Sequence, residues 1–309
     1  RLGELLEAEV AFAPDCVGAS AEEAVAALED GDVLMLENTR FHAGEKANDA
    51  DFAQQLASLA DLYINDAFGT AHRAHASTAG VAEHLPSAAG FLIEKEVEYL
   101  SRATENPEHP YVAVMGGAKV SDKIQVIRNL LDKVDAMLIG GAMAYTFLKQ
   151  QGVEVGNSLV EDDKLDVAAS LLEEAGDRII LPCDHVCARE IDADAEARTT
   201  DVEVPEGWIG LDIGPKTVEA FKEKISDAAL VTWNGPLGYF EISQFSLGTR
   251  AVAQALAESD AVSIVGGGET AEAVEELGLQ DDISHVSTGG GASLAFLSGE
   301  ELPGIAALD

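Results

Sequence analysis

Basic residues are scarce: ten lysines and nine arginines among 309 residues face 56 acidic side chains, for a formal net charge of −37. A surface built to hold nucleic acid or an anionic membrane needs dense positive charge, so both are excluded as partners. Cysteine is nearly absent. Cys16, Cys183 and Cys187 cannot build a disulfide framework, and a reducing cytoplasm is the expected compartment. No apolar run approaches the length that crosses a bilayer, and no charged-then-apolar leader opens the chain. Disorder is excluded by what is plentiful, since 47% of the residues are hydrophobic.

Two readings of the acidic coat stand side by side. High net charge keeps proteins soluble, but −37 exceeds what solubility asks of a small domain. In molar salt, where screening shortens to a few ångströms, such self-repulsion becomes tolerable, and a halophile-like protein is expected.

At roughly 150 residues per domain the length predicts two domains. Short apolar runs alternate with helical patterns. The box Ser20-Ala-Glu-Glu23 predicts a capped helix start, Asp32–Leu36 and Leu62–Ile64 predict strands, and Asn48–Ala60 and Phe91–Thr104 predict helices. Beyond Pro107 and Pro110 the alternation restarts, with buried strands expected at Val112–Met115, Ala136–Ile139, Ile209–Ile213, Leu230–Trp233 and Val262–Val265. Strands separated by helices imply right-handed crossovers and parallel sheets covered on both faces. The acidic stretch Glu190–Gly207 reads as a solvated surface excursion.

The chemistry is expected where strands end. Gly116-Gly117, Gly140-Gly141, Gly266-Gly267-Gly268 and Gly289-Gly290-Gly291 each follow an apolar run and lead into a helix. At the carboxyl edge of an open sheet such turns let a phosphate approach helix N-terminal amides, although any one of them could simply pack a helix on a sheet. None has the spacing of a dinucleotide fingerprint or a Walker loop. Lys119 and Lys123 distinguish the first turn, with Ser121 read as the N-cap between them. A lysine at a helix start opposes the macrodipole, and holding a polyphosphate would account for it. Arg40, His42, His72, Arg73 and His75 form a second cationic group, suited to a small anion rather than a metal. Alternation would put Cys183, His185 and Cys187 on one strand face, yet no fourth ligand is evident, and they read as core residues.

Six segments carry a resemblance: Leu36-Glu-Asn-Thr-Arg-Phe-His42, the run Asn65–Thr78, Gly116-Gly-Ala-Lys-Val-Ser-Asp-Lys123, Gly210-Leu-Asp-Ile-Gly-Pro215, Trp233-Asn-Gly-Pro-Leu-Gly238 and Ser287-Thr-Gly-Gly-Gly-Ala-Ser293. In this order they resemble the phosphoglycerate kinase family. The resemblance implies an α/β fold of two Rossmann-like, doubly wound parallel-sheet lobes joined by a hinge helix. It divides the chain into a partial substrate-binding lobe at 1–90, an interdomain helix at 91–107, a nucleotide-binding lobe at 108–288 and a C-terminal segment at 289–309 that returns to the first lobe. The implied reaction is reversible phosphoryl transfer between ATP and the carboxylate of 3-phosphoglycerate, giving ADP and 1,3-bisphosphoglycerate, in a hinge-bending cytoplasmic monomer. The alternative is a truncated homologue that binds nucleotide without catalysis.

By the same resemblance, Arg40 and Arg73 hold the phosphoglycerate. Lys119, Lys123, Gly141, Gly214, Gly235, Leu237, Glu241, Gly267, Gly268, Glu269 and Thr270 bind the nucleotide. Lys123, Gly268 and Gly291 are the implied catalytic positions, and Glu269 serves Mg²⁺ carried by the nucleotide phosphates. Glu269 stands where the family usually has aspartate, and Ala142 replaces the last of three glycines. The family's Asp-Phe-Asn and Ser-His-Leu-Gly-Arg-Pro motifs do not occur, so a first lobe incomplete at its N-terminus is expected.

Overall fold

Strands form where β-branched and large apolar residues run between turns. The computed structural model describes residues 1–308, and its strands are β1 (Val10–Ala13), β2 (Val33–Leu36), β3 (Tyr63–Asn65), β4 (Ser87–Ala89), β5 (Tyr111–Met115), β6 (Ala136–Ile139), β7 (Ile179–Ile180), β8 (Asp184–Ala188), β9 (Arg198–Asp201), β10 (Ile209–Ile213), β11 (Leu230–Asn234), β12 (Val262–Gly266) and β13 (His285–Val286). The chain divides into two compact units, one of Arg1–Lys95 with the residues from Glu301 on, the other of Glu96–Glu300.

The second unit is built on a six-stranded sheet in the order β13-β12-β11-β5-β6-β7. Every pairing in it is parallel, with Leu230 opposite Tyr111 and Val112 opposite Ala136. Every residue of β5, β6 and β11 is buried, as expected for central strands covered on both faces. Val114, Leu138, Val231, Trp233 and Val265 pack with Phe221, Val252 and Leu256 from flanking helices into one core. Each such side chain contributes about 1.5–3 kcal/mol through the apolar area removed from water. Among the described residues no helix is long and apolar enough to cross a membrane.

This unit departs from the expected pattern in the segment from Asp184 to Ile213. Ile209–Ile213 is a strand but not part of the parallel sheet: β10 lies antiparallel to β8, which pairs antiparallel with β9. A parallel pairing needs a crossover, usually helical, and no helix lies between Ala188 and Ile209, so the chain folds back on itself. Nor is Glu190–Gly207 wholly a solvated excursion. Within it β9 pairs Arg198 with Cys187, and the guanidinium groups of Arg189 and Arg198 lie 5.0 and 3.7 Å from the Trp208 ring centre.

In the first unit β1 pairs with β2 and β3 with β4, both parallel. Cys16, Val17, Phe52, Ala53 and Ala76 form its small core. The helix Ala19–Ala26 begins after Gly18 with no side-chain cap, so the box read at Ser20–Glu23 does not form. The helix Ala50–Ala57, shorter than the predicted 48–60, is instead capped by Asp49, whose carboxylate accepts from the Phe52 amide at 2.9 Å. The C-terminal residues pack back on this unit, where Gly304 donates to the Ala71 carbonyl and accepts from Asn65 Nδ2, both at 2.9 Å.

The helix Phe91–Thr104 forms over the predicted span and links the two units in sequence. Asp66 caps its start by accepting from the amides of Leu92 and Ile93. Farther along, the fully buried Glu96 accepts from His285 Nε2 at 2.8 Å and from the Thr288 amide and hydroxyl at 2.8 and 3.0 Å. The Tyr99 ring stacks on His285 at 4.7 Å.

Candidate active site

Strands β5, β6, β11, β12 and β13 run parallel, so the turns that follow them gather at one edge of the sheet. That edge is where open α/β sheets bind ligands. The turns interlock through backbone bonds: Gly116 donates to the Asn234 carbonyl at 3.0 Å, Gly117 to that of Pro236 at 2.8 Å, and Gly141 to that of Leu237 at 3.0 Å. Gly235 has φ +98°, and a Cβ there would fall on the Gly116 carbonyl group. Only glycine lets these two backbones meet.

Two cavities open at this edge. The first, about 170 Å³, is mostly apolar and is lined by Gly117, Gly141, Ala142, Tyr145, Leu211, Pro236 and Leu237, with Glu241 and Glu269 among its polar groups. Its inner wall also holds His185 and Asp212. Tyr145 Oη lies 3.2 Å from His185 Nδ1, and burial lowers the imidazole to about 4, so it is neutral at pH 7. Burial pushes the Asp212 carboxyl up to about 7, against the amides of Gly248 and Ile213, which donate to it at 2.8 and 2.9 Å.

A carboxyl raised in the folded state binds more protons there than in the unfolded chain, so it removes stability as pH rises from its unfolded value, about 4, to about 7. Relative to Asp212→Asn, which does not titrate there, the protein should therefore lose stability between pH 4 and pH 7 and change little above. Urea unfolding of both proteins at pH 5 and pH 8 checks this; parallel pH profiles would refute it.

The second cavity, about 330 Å³ and more open, is lined by Lys123, Asn234, Gly235, Gly267, Gly268, Glu269, Thr270, Gly290, Gly291 and Leu294. Lys123 Nζ donates to Asn234 Oδ1, while Asn234 Nδ2 is buried without a hydrogen-bond partner. An unsatisfied buried donor facing a glycine-rich cavity suits an anionic oxygen. Burial lowers the Lys123 pKa, and the Asp122 and Glu269 carboxylates oppose that shift. Thr270 turns inward, its hydroxyl accepting from the Gly235 amide at 2.7 Å. Glu269, exposed and bordering both cavities, offers one carboxylate. Mg²⁺ commonly takes one or two carboxylates plus substrate phosphates, so this donor set fits the ion.

The geometry thus brings Lys123, Gly235, Gly267, Gly268, Glu269, Thr270 and Gly291 around one cavity, and Gly141, Leu237, Glu241 and Glu269 around the other. Lys119 is exposed and lines neither. Gly214 also lines neither; it precedes the helix Pro215–Ser226 and donates to the Asp184 carbonyl at 2.9 Å. Ser121 is not an N-cap: its amide and hydroxyl both donate to Glu161, and the helix begins later, at Ile124. Tyr145, His185, Asp212 and Asn234 were not singled out for this site by sequence reasoning. Asp212 and Asn234 carried the clearest signal, lying inside the Gly210–Pro215 and Trp233–Gly238 segments.

In the first unit Arg40 sits on the turn Thr39–Phe41, whose cap is the Asn38 side chain, and Arg73 Nε lies 3.1 Å from His72 Nε2. Both guanidinium groups are exposed. His75, whose pKa is lowered first by burial, feels both as further depressing charges against the opposing Glu45. The two arginines therefore act on one neighbourhood. His42 is engaged elsewhere, its Nε2 2.7 Å from Asp15 Oδ1. Cys183 is exposed and precedes β8, and Cys187 Sγ lies 3.5 Å from the Thr200 hydroxyl.

The family model described as phosphoglycerate kinase matches residues 1–300. Phosphoglycerate kinase of Thermosipho africanus is 59% identical, over all of this chain and 79% of its own length. That of Chlorobaculum tepidum is 57% identical, over all of this chain and 80% of its own. Among solved structures, phosphoglycerate kinase from Coxiella burnetii is similar with a TM-score of 0.90 at 45% identity, covering 99% of this chain and 78% of that one. The enzyme from Pyrococcus horikoshii aligns with a TM-score of 0.88 at 35% identity, over 99% of this chain and 80% of that one.

Proposed function

Since the chain belongs to the phosphoglycerate kinase family and catalyses reversible phosphoryl transfer between ATP and the carboxylate of 3-phosphoglycerate, we propose that Lys123, Gly268 and Gly291 are the groups that carry the transfer. The observation that supports this assignment is the second cavity, where an amine, an unpartnered amide donor and two glycine turns face one space.

The apolar cavity takes the nucleoside, with Gly141, Leu237 and Glu241 as its walls. The polyphosphate lies in the second cavity under Gly267, Gly268 and Thr270. Lys119 and Gly214 are assigned to the nucleotide by resemblance alone. Arg40 and Arg73 take the phosphate and carboxylate of phosphoglycerate by fork-like pairing. We divide the chain functionally as 1–90 for this substrate, 91–107 as the hinge helix, 108–288 for the nucleotide and 289–309 as the returning segment. Substrate and nucleotide are thus assigned to separate units, so turnover requires hinge-bending, which also excludes water from a reactive acyl phosphate.

No catalytic base is needed, because the acceptor carboxylate is already ionised at neutral pH. Catalysis is then positioning and charge neutralisation. Lys123 and the amides at Gly268 and Gly291 meet the equatorial oxygens of a metaphosphate-like transition state. Glu269 would hold Mg²⁺, which supplies charge neutralisation on the nucleotide phosphates.

We further infer adaptation to high salt from the −37 charge, with the cations gathered at Arg40, Arg73, Lys119 and Lys123, and a cytoplasmic monomer from the family resemblance and the scarcity of cysteine. A coupled assay for 1,3-bisphosphoglycerate formation tests the reading. Turnover is expected, several-fold faster in molar KCl than in dilute buffer. ATP binding by calorimetry without turnover would refute the assigned catalysis, and full activity in dilute buffer would refute the salt adaptation.

A further inference from the structure

We infer that Asp15, Cys16 and His42, none of them among the residues proposed for nucleotide or phosphoglycerate, form a site for a borderline-soft divalent metal ion, with Zn²⁺ the best match. One ligand atom of each residue lies within 4.8 Å of the other two, and among the described residues this is the one such group of three.

The placement follows from the fold. Asp15 and Cys16 come just after β1, and His42 follows β2 by way of the turn Thr39–Phe41. Since β1 and β2 run parallel with Ala13 opposite Leu36, their carboxyl ends lie side by side and deliver the three groups to one point. The His42 ring is stacked on Phe52 at 5.1 Å and 27°, which restricts its rotation and keeps Nε2 at Asp15. Asp15 is fixed in turn, its Oδ1 accepting from the Cys16 amide at 2.7 Å.

The ligand chemistry selects the ion. Thiolate with imidazole disfavours Mg²⁺ and Ca²⁺, which take oxygen ligands, and favours Zn²⁺. Tetrahedral bonds of about 2.0–2.3 Å put ligand atoms about 3.3–3.8 Å apart, so an ion would replace the 2.7 Å contact between His42 Nε2 and Asp15 Oδ1, which need part by only about 1 Å while Cys16 Sγ draws in from within 4.8 Å. Thiolate and carboxylate together neutralise a divalent charge, which makes their gathering in a strongly acidic chain self-consistent. Cys16 approaches from the buried side, while the side chains of Asp15 and His42 retain 44% and 34% exposure. An ion can therefore enter from solvent, and a water completes a fourth position. The consequence is structural: a bound ion pins the ends of β1 and β2 together.

The test uses the reduced full chain titrated with Co²⁺ and then Zn²⁺. The expected result is one equivalent of Co²⁺ with thiolate-to-cobalt charge-transfer absorption and the visible bands of a tetrahedral centre, both removed by Zn²⁺, together with a higher Tm in Zn²⁺. Cys16→Ser should abolish the charge-transfer band, and Cys183→Ser should leave it intact. His42→Gln, at a partly exposed ring outside the packed core, should weaken Zn²⁺ binding at least about tenfold. No thiolate band in the parent protein, a band lost with Cys183→Ser, or unchanged Zn²⁺ affinity in His42→Gln would each overturn the site, the last even if Cys16→Ser fails to fold.

Discussion

Replacing Lys123 by alanine is expected to lower kcat by about 10²–10³-fold, or about 3–4 kcal/mol of transition-state stabilisation, while ATP affinity stays within a few-fold. The asymmetry follows from the group's position. Its ammonium is tied to Asn234 Oδ1 at the wall of the second cavity, between the turns that carry Gly268 and Gly291. A point charge there gains most when negative charge spreads over the moving phosphoryl group, and little from the nucleoside, which we assign to the apolar cavity. Loss of the amine also leaves Asn234 with neither end of its amide paired, at a cost of about 1 kcal/mol in stability. Steady-state kinetics beside calorimetric ATP titration separates the two effects. An unchanged kcat would remove Lys123 from the chemistry, and equal losses in kcat/KM and affinity would make it a ground-state contact only.

Gly235→Ala should destabilise the second unit by about 3–5 kcal/mol, combining backbone strain at positive φ with overpacking. The added methyl has nowhere to go. It meets the Gly116 carbonyl, which cannot retreat because the Gly116 amide is bonded to Asn234 and the Gly117 amide to Pro236. Two turns would have to separate, carrying Gly117 and Pro236 of the first cavity and Gly235 of the second, so nucleotide binding should fall along with stability. Urea unfolding should show a lower midpoint at an unchanged slope. A midpoint equal to that of the parent protein would mean that the turns are slack, contrary to their bonding.

Much of this arrangement was legible in the residues. The buried strands β5, β6, β11 and β12 and the helix Phe91–Thr104 lie where apolar patterning put them, because each is bounded by glycine, proline or charge. Pairing direction was not legible. Ile209–Ile213 has the composition of a central parallel strand, and what turns it antiparallel is the lack of a helix before it. Local capping signals also misled where a distant partner competed. Ser121 is claimed by Glu161, forty residues away, and Asp66 caps a helix that starts only at Phe91. In the candidate site, glycine spacing marked turns that line the second cavity, but the inner wall of the first, with Tyr145, His185 and Asp212, comes from separate elements that no short motif joins.

The order of the six-stranded sheet sets when it can form. Its two central strands, β5 and β11, have the whole of residues 116–229 between them, and every strand on one side of the pair comes later still. A nascent chain leaving the ribosome must carry the fully apolar Tyr111–Met115 unpaired on that flank until Leu230–Asn234 has been made. Loop closure over such a span is slow, and the waiting strand is exposed to mispairing meanwhile. Synthesis rate and chaperone supply should therefore govern the yield of active protein more than the final stability of the sheet does.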